Sequence, residues 1–254
     1  TRVAKLLGAF RRMPPVDMAA LEEILLRVSE LVCELPALLE LDVNPLIADE
    51  TGAVAVDARV VLRPGPAPRD RYGHMAIHPY PAHLVSTWQP GAGPPITLRP
   101  IRPEDAEMEQ EFVKRLSPET RYFRFMDTLR ELTPQMLARF TQIDYDREMA
   151  FVATVHEVGR ETEIGVARYV ANPDGESCEF ALVIADGWQR KGLGRRAMEQ
   201  LIAVARAHGL RSMVGHVLTE NRGMLSLCQE LGFVIGDSAE GPTVKRAALA
   251  LAEA

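Results

Sequence analysis

The spacing of apolar and polar positions divides the chain into a short N-terminal segment, a proline-rich stretch and a longer C-terminal segment. Residues 21–31 carry leucines at helical spacing, which predicts a helix. Residues 38–47 and 53–62 are apolar runs on either side of the turn at residues 49–52, and they predict two strands. The first segment is therefore expected to form a small αβ unit that ends near Arg63.

Prolines crowd residues 64–95, together with several glycines. Proline lacks the amide donor and restricts the residue before it, so regular structure is unexpected there. We interpret this stretch as a linker, in which the apolar pieces at residues 78–81 and 84–88 pack onto a domain.

From Ile96 onward, runs of strand length alternate with helical patterns, which predicts a mixed α/β domain over residues 96–254. Strands are predicted at residues 96–101, 151–158, 163–170, 178–184, 212–218, 233–235 and 244–251, with a hairpin turn at 159–162. Helices are predicted at residues 103–116, 192–208 and 222–231, and after Ser117-Pro118 and Thr133-Pro134, where an N-cap precedes a proline. Gly209 and Gly232 are expected to end the last two helices.

Composition excludes several classes of protein. The chain is 47% hydrophobic and 25% charged with a net charge of −6, which argues against nucleic acid as the main partner. No apolar run reaches the roughly 18 residues that span a bilayer. The three cysteines are widely spaced, so no disulfide framework and no zinc or other metal site is expected, and a cytoplasmic location fits. Because Thr1 lies inside a charged helical pattern, we expect a piece of a longer protein.

The most informative motif is a strand followed by a glycine-containing loop and a helix. The strand at residues 179–184 is apolar, and the loop at residues 189–194 reads QRKGLG. Glycines let backbone amides approach a ligand, and a helix start offers free N–H groups and positive potential. Arg190, Lys191, Arg195 and Arg196 surround the same point. The pattern suits a ligand with several phosphates; the alternative is a strand-to-helix turn with a solvated basic face.

A second motif lies downstream, at residues 221–233 (NRGMLSLCQELGF). With the loop, it resembles the GNAT family of acetyltransferases over the chain from about Ile96. The resemblance implies a mixed, splayed sheet flanked by helices, with acetyl-CoA in the V between two parallel strands. It implies that the cofactor-binding residues are Val183 and Ile184 along the pantetheine and thioester, Gln189, Arg190, Lys191, Gly192 and Gly194 at the pyrophosphate, and Asn221 at the pantetheine arm. Arg195, one of the cations around the loop, is also predicted to bind the cofactor.

The same resemblance implies a catalytic base. An amine must lose a proton before it attacks a thioester, and Glu179 stands where similar lysine acetyltransferases carry a catalytic Glu. Apolar neighbours are expected to raise its pKa, and the alternative is a salt-bridged Glu. Cys178 should face the opposite side as part of the core. Cys228 stands where many relatives carry a tyrosine acid, and a structural role is favoured for it because a thiol is a weak donor.

The N-terminal segment has its own resemblance. Residues 40–46 and 55–59 resemble the end of the ATP-grasp domain of NDP-forming acyl-CoA synthetases, in which Asn44 and Asp57 would be metal ligands. Residues 1–63 are therefore expected to be a partial ATP-grasp-like region. Its nucleotide-binding half lies outside this sequence, so we expect no metal binding and no ATP chemistry.

A synthetase-like region joined to a GNAT domain resembles the arrangement of bacterial protein lysine acetyltransferases of the Pat type, as does the stretch at residues 116–125. This implies a protein substrate, a lysine of an AMP-forming acyl-CoA synthetase. Tyr122, Arg124 and Asp127 would then face the partner, or belong to ordinary amphipathic helices. Two alternatives remain open, because a fold does not decide a substrate. They are a small-molecule amine acetyltransferase and a non-catalytic CoA-sensing regulatory domain.

Overall fold

The computed structural model describes residues 7–9, 14–65, 72, 74–75, 77–91, 93–157 and 159–251. The chain divides into two compact units, Thr1–Pro79 and Tyr80–Ala254. The division lies within the stretch predicted as a linker, of which residues 66–71 are outside the described residues. The domain boundaries drawn from the sequence stay predictions. No described helix has the length and apolar character needed to cross a membrane.

The first unit contains one helix and four short strands. Helix α1 covers Met18–Glu34 and confirms the predicted helix, extended at both ends. Asp17 caps it, since its Oδ1 accepts a hydrogen bond of 3.1 Å from the Ala20 amide. The strands pair as two antiparallel ribbons, β1 with β4 and β2 with β3. They are β1 Leu38–Val43, β2 Leu46–Asp49, β3 Gly52–Ala55 and β4 Ala58–Leu62.

The prediction of two strands in this unit was wrong, because each is divided in two. Pro45 carries no amide donor and interrupts the first run, which separates β1 from β2. Opposite it, the Val56 amide donates to the Pro45 carbonyl at 3.0 Å, and the Asn44 amide donates to the Asp57 carbonyl at 3.1 Å. These two hydrogen bonds link the two chain segments at the point where both ladders are interrupted.

The second unit is built on an eight-stranded sheet with the order β11-β12-β10-β9-β8-β7-β6-β5. All neighbours are antiparallel except β9 and β10, which are parallel. The strands are β5 Ser86–Trp88, β6 Ile96–Pro100, β7 Glu148–Glu157, β8 Arg160–Ala171, β9 Ser177–Ile184, β10 Ser212–Leu218, β11 Val234–Asp237 and β12 Val244–Ala250. The helices are α2 Ala106–Arg115, α3 Pro118–Phe125, α4 Pro134–Thr141, α5 Leu193–Ala207 and α6 Arg222–Glu230.

Two apolar cores cover the two faces of this sheet. One core includes residues of α5 and α6, among them Met198, Leu201 and Cys228. The other includes Phe112 and Val113 of α2, with side chains of α3 and α4 packed against it. Helices on both faces of a mixed sheet confirm the predicted α/β architecture.

Helix starts and ends follow the predicted signals. Ser117 and Thr133 cap α3 and α4, each accepting a hydrogen bond from the amide three residues later, with proline in the next position. Gly209 and Gly232, which follow α5 and α6, have φ of 76° and 88°. Sequence patterning was therefore sufficient to place these helices.

Two local predictions were wrong in this unit. Ser86–Trp88 was interpreted as part of a linker, but it forms β5 and pairs antiparallel with Ile96–Pro100 of β6. An edge strand needs few hydrogen bonds, so it tolerates the prolines nearby. The hairpin between β7 and β8 turns earlier than predicted, because Arg160, Glu161 and Thr162 are already paired in the ladder.

Candidate active site

The sheet opens into a V between β9 and β10. Their parallel pairing covers only Ser177–Glu179 against Ser212–Val214, and no pairing follows it in the described strands. Beyond that point β9 remains paired with β8 as far as Ile184, and β10 with β12 as far as Leu218. The two halves of the sheet therefore separate and leave backbone groups unpaired along the cleft. Val183 and Ile184 lie on the β9 side of it, and both side chains are buried.

The loop that follows β9 has an unusual backbone. Arg190 and Gly192 are both in the left-handed region, with φ of 58° and 86°, and α5 begins directly afterwards at Leu193. Alternation of left-handed residues before a helix turns successive amides toward one point, which makes an anion-binding concavity. The first N–H groups of α5 lack partners within the helix and add positive potential there. This geometry supports the predicted phosphate site.

Close packing explains the second glycine of the motif. A Cβ at Gly194 would lie 3.4 Å from the methyl carbons of Leu182 and Leu227. The start of α5 is thereby pressed between β9 and α6. A single methyl group would still fit at ordinary contact distance, whereas a side chain larger than that of alanine would push the helix start away from the cleft.

An acidic residue that the sequence did not single out fixes the turn before the loop. The Asp186 carboxylate accepts hydrogen bonds from the Ser117 amide and hydroxyl at 2.9 and 2.7 Å and from the Thr120 hydroxyl at 2.6 Å. Burial acts to raise its pKa, but the hydrogen bonds from Thr120 and Ser117 outweigh burial and lower it. Gln189 completes the connection, since its Nε2 donates to the Thr120 hydroxyl at 3.3 Å and to the Ile184 carbonyl at 3.0 Å. The start of α3 is thus attached to the loop at residues 189–194, which we call the cofactor loop.

The cationic side chains in and after the loop differ in their contacts. The Lys191 ammonium lies 5.3 Å from the centre of the Trp188 ring. Within the described part of the chain, Arg190 and Arg196 form no ion pair. Arg195 instead pairs with Glu230 and, at 3.7 Å, with Glu199. Arg195 therefore has acidic partners, and its role at the phosphates stays a prediction.

Gly192 offers a test of this backbone. We expect Gly192→Ala to lower the free energy of unfolding by about 1 kcal/mol, because an L-residue is strained at a φ of 86°. The strain should also raise KM for the anionic ligand. Gly187, in the same turn, has no neighbour within 4 Å of its Cβ position and no left-handed φ, so Gly187→Ala is the matched control. Urea unfolding and steady-state kinetics measure both effects, and equal effects of the two substitutions would contradict the predicted phosphate site.

Glu179 lies at the closed end of the V, where β9 and β10 begin to separate. It forms the last parallel pair, with Val214, and its side chain is exposed. Alternate residues of a strand share a face, so Glu179 lies on the face of Val183, which belongs to the core beneath α2–α4. The apolar surroundings expected from the sequence are absent, because the separation of the strands opens this position to solvent. Cys178 lies in the opposite core and is fully buried, as expected.

A half-buried guanidinium lies within electrostatic range of this carboxylate. Burial, and then the like charge of Arg168, lower the pKa of Arg124 to about 10. The charges of Glu109 and Glu179 oppose this shift. Arg124 therefore belongs to the surroundings of Glu179, and sequence spacing alone had only placed it on a helix facing a partner.

A buried acidic pair lies on the same side of the sheet. Glu109 of α2 and Glu163 of β8 are 2% and 1% exposed. Burial first, and then the neighbouring Glu109, raise the pKa of Glu163 well above its ordinary value. Glu163 thus holds a proton at a pH at which an exposed carboxyl has lost it. Nothing in the sequence pattern distinguishes these two residues from surface glutamates.

The second motif forms α6. Asn221 is its N-cap, with Oδ1 accepting from the Met224 amide at 3.1 Å, which leaves the side-chain NH₂ as the donor for a ligand. Cys228 is fully buried, and burial raises the pKa of its thiol to about 11. The thiol is therefore a protonated, enclosed group, which fits the structural role favoured for it. No cluster of three or more metal-binding side chains occurs among the described residues.

Comparisons with known proteins match both parts of the chain. Residues 96–234 match the acetyltransferase (GNAT) domain family, and residues 1–62 match an ATP-grasp domain family. An acetyltransferase of Pseudomonas aeruginosa is 46% identical over 139 residues, which cover 55% of this chain and 75% of that protein. The GNAT domain of S. lividans PAT is similar in structure, with a TM-score of 0.61, 26% identity, and coverage of 68% of this chain and 99% of that one.

The N-terminal segment has a separate relative. The beta subunit of the ADP-forming acetate–CoA ligase I of Pyrococcus furiosus is 46% identical over 57 residues. These residues are 22% of this chain and only 25% of the ligase subunit. The similarity therefore concerns a small part of an ATP-grasp protein.

Proposed function

This chain belongs to the GNAT acetyltransferase family, and on that premise we propose that it acetylates the ε-amine of a lysine on another protein. Acetyl-CoA is the acyl donor that this family uses. The acceptor we propose is an AMP-forming acyl-CoA synthetase, and the proposed general base is Glu179.

The residues of the cleft fit the donor. The left-handed turn at Arg190 and Gly192 and the start of α5 suit a pyrophosphate, and Lys191 adds a cation. The unpaired edges of β9 and β10 suit an extended, amide-containing arm. A thioester supplies an activated acetyl group, which an uncharged amine attacks at the carbonyl carbon.

The exposed position of Glu179 is the observation that carries the proposal. A lysine on a folded protein arrives on a large surface, so the base that receives its proton must be reachable from outside. Glu179 is exposed at the point where β9 and β10 begin to separate, and it forms no ion pair within the described residues. It would accept the proton of the ε-ammonium; the amine then forms the C–N bond as the C–S bond breaks. The nitrogen releases its second proton to solvent, and the thiolate takes a proton from solvent.

Two similarities support the protein acceptor. The domain resembles the GNAT domain of S. lividans PAT, and the segment before it resembles part of an ADP-forming ligase. This pairing matches the Pat-type arrangement predicted from the sequence. The fold alone leaves the small-amine alternative open.

The test compares acceptors. Purified AMP-forming acyl-CoA synthetase and spermidine are each incubated with the protein and acetyl-CoA, and thiol release and lysine mass are measured. We expect acetylation of one or a few synthetase lysines, with kcat/KM at least about 100-fold above that for spermidine. A synthetase with the modified lysine replaced by Arg is the matched control and should lose the signal. Preference for spermidine would favour a small-amine enzyme, and binding of acetyl-CoA without any transfer would favour a CoA sensor.

A further inference from the structure

A cavity of about 580 Å³ lies beside the cofactor loop, outside the V. Its walls include Trp88 of β5, Trp188, Lys191, and prolines and glycines of the segment after Trp88. The chain has only two tryptophans, and both line this cavity. Its volume falls within the range of small-ligand sites.

The walls have a specific chemistry. Indole rings bind flat heterocycles by stacking, and this contact is strong for nucleobases. The Lys191 ammonium lies over the Trp188 ring at 5.3 Å, so a cation stands directly beside one of the two aromatic surfaces. A lysine provides a point charge suited to a phosphate. Stacking surfaces with an adjacent cation favour a purine that carries a phosphate.

The cavity adjoins the proposed pyrophosphate site. A Cβ at Gly192 would lie 3.6 Å from the Trp88 ring, so the tryptophan forms a wall of the turn that begins α5. Lys191 belongs both to that turn and to the cavity. Ser86, on the same strand as Trp88, donates to Gln200 of α5 at 2.8 Å and fixes the strand against the helix.

We propose that this cavity binds the nucleotide end of acetyl-CoA, with the adenine between the tryptophans and the ribose phosphate near Lys191. The proposal rests on acetyl-CoA being the acyl donor and adds to it the subsite that distinguishes CoA from shorter thioesters. Trp88 is then a specificity-determining residue supplied by a strand at the far edge of the sheet.

Intrinsic fluorescence tests this directly, because both fluorophores lie at the site. We expect CoA and 3′,5′-ADP to change the tryptophan emission saturably, and pantetheine to leave it unchanged. Trp88→Phe and Trp188→Phe each leave one reporter and keep an aromatic ring, and each should still respond. If emission is unchanged while acetyl-CoA binds by calorimetry, the nucleotide binds elsewhere and the subsite is overturned, although the proposed function stands.

A kinetic comparison gives a second readout. Trp88→Leu is expected to raise Kd for acetyl-CoA by about tenfold or more. It should also reduce the ratio of KM for acetyl-4′-phosphopantetheine to KM for acetyl-CoA, because only acetyl-CoA carries the nucleotide that Trp88 would contact. Thr87→Ala, an exposed neighbour on the same strand, should change neither value. An equal loss for both donors would mean that Trp88 only supports the fold, and failure of the wild type to bind acetyl-CoA would overturn the donor and the subsite together.

Discussion

Replacing Glu179 by Gln is expected to lower kcat/KM for the lysine acceptor by about 10²- to 10⁴-fold. The amide keeps the size of the side chain but cannot accept the ammonium proton. Because the Glu179 side chain is exposed and forms no ion pair within the described residues, the exchange should leave the fold intact. KM for acetyl-CoA should change little, since the proposed phosphate contacts belong to the loop at residues 189–194. Thiol release under saturating acetyl-CoA, with the acceptor varied, measures the loss.

A neighbouring acid provides the matched control for this prediction. Glu176 lies just before β9, is exposed and pairs with Arg211 at 3.1 Å. Glu176→Gln removes the same charge close by and should keep activity within about twofold, because exposed ion pairs contribute little. Equal activity of Glu179→Gln and wild type would mean that another group accepts the proton. Equal loss in both variants would point to a general effect of negative charge on acceptor binding.

Local sequence signals predicted most of the second unit. N-caps such as Ser117 and Thr133 act within the first turn of the helix that they begin, and glycines such as Gly209 and Gly232 act at the helix end that they follow. Their effect can therefore be predicted from neighbours in sequence. The strand at Ser86–Trp88 was missed, because its pairing with β6 depends on a partner that only the folded sheet supplies. The break at Pro45 was missed because the flanking runs are equally apolar.

The candidate site likewise combines features that short-range signals predict with contacts that they do not predict. The loop glycines and the position of Glu179 follow from short-range motifs, and the structure places them near the two ends of β9, on one side of the cleft. The attachment of Asp186 to Ser117 and Thr120 joins residues about 70 positions apart, and no spacing rule reveals it. The same is true of the pair between Arg195 and Glu230, which draws a predicted phosphate ligand toward α6.

A buried ion pair between β6 and the residue that precedes α2 leads to the prediction with the largest expected effect on stability. Arg99 is 5% exposed and donates two hydrogen bonds of 2.7 Å to Asp105 and two, of 2.9 and 3.2 Å, to Glu161. Burial acts to lower the Arg99 pKa, but the bonds to Asp105 and Glu161 raise it above its ordinary value. The arginine therefore stays charged, and Asp105→Ala leaves that charge buried without its main partner.

We expect Asp105→Ala to lower the free energy of unfolding by about 3–5 kcal/mol, measured by urea denaturation. Much of that loss is the burial cost of an unpaired Arg99, so adding Arg99→Met should recover part of it. Glu111→Ala is the surface control; it breaks an exposed pair with Arg160 and should cost about 0–1 kcal/mol. A double variant less stable than Asp105→Ala would contradict this account.

The pH dependence of stability distinguishes the charge of Arg99 from its packing. The hydrogen bond from Arg99 holds the pKa of Glu161 below its ordinary value. A carboxyl with a lowered pKa binds fewer protons in the folded state than in the unfolded state, so its contribution is complete above the ordinary Glu pKa and is lost as pH falls through the lowered value. Arg99→Met should remove this part of the acid sensitivity, whereas Glu111→Ala should retain it. Unfolding measured in urea from neutral pH down to about pH 3 tests the difference, and identical slopes in wild type and Arg99→Met would mean that Glu161 gains nothing from the arginine.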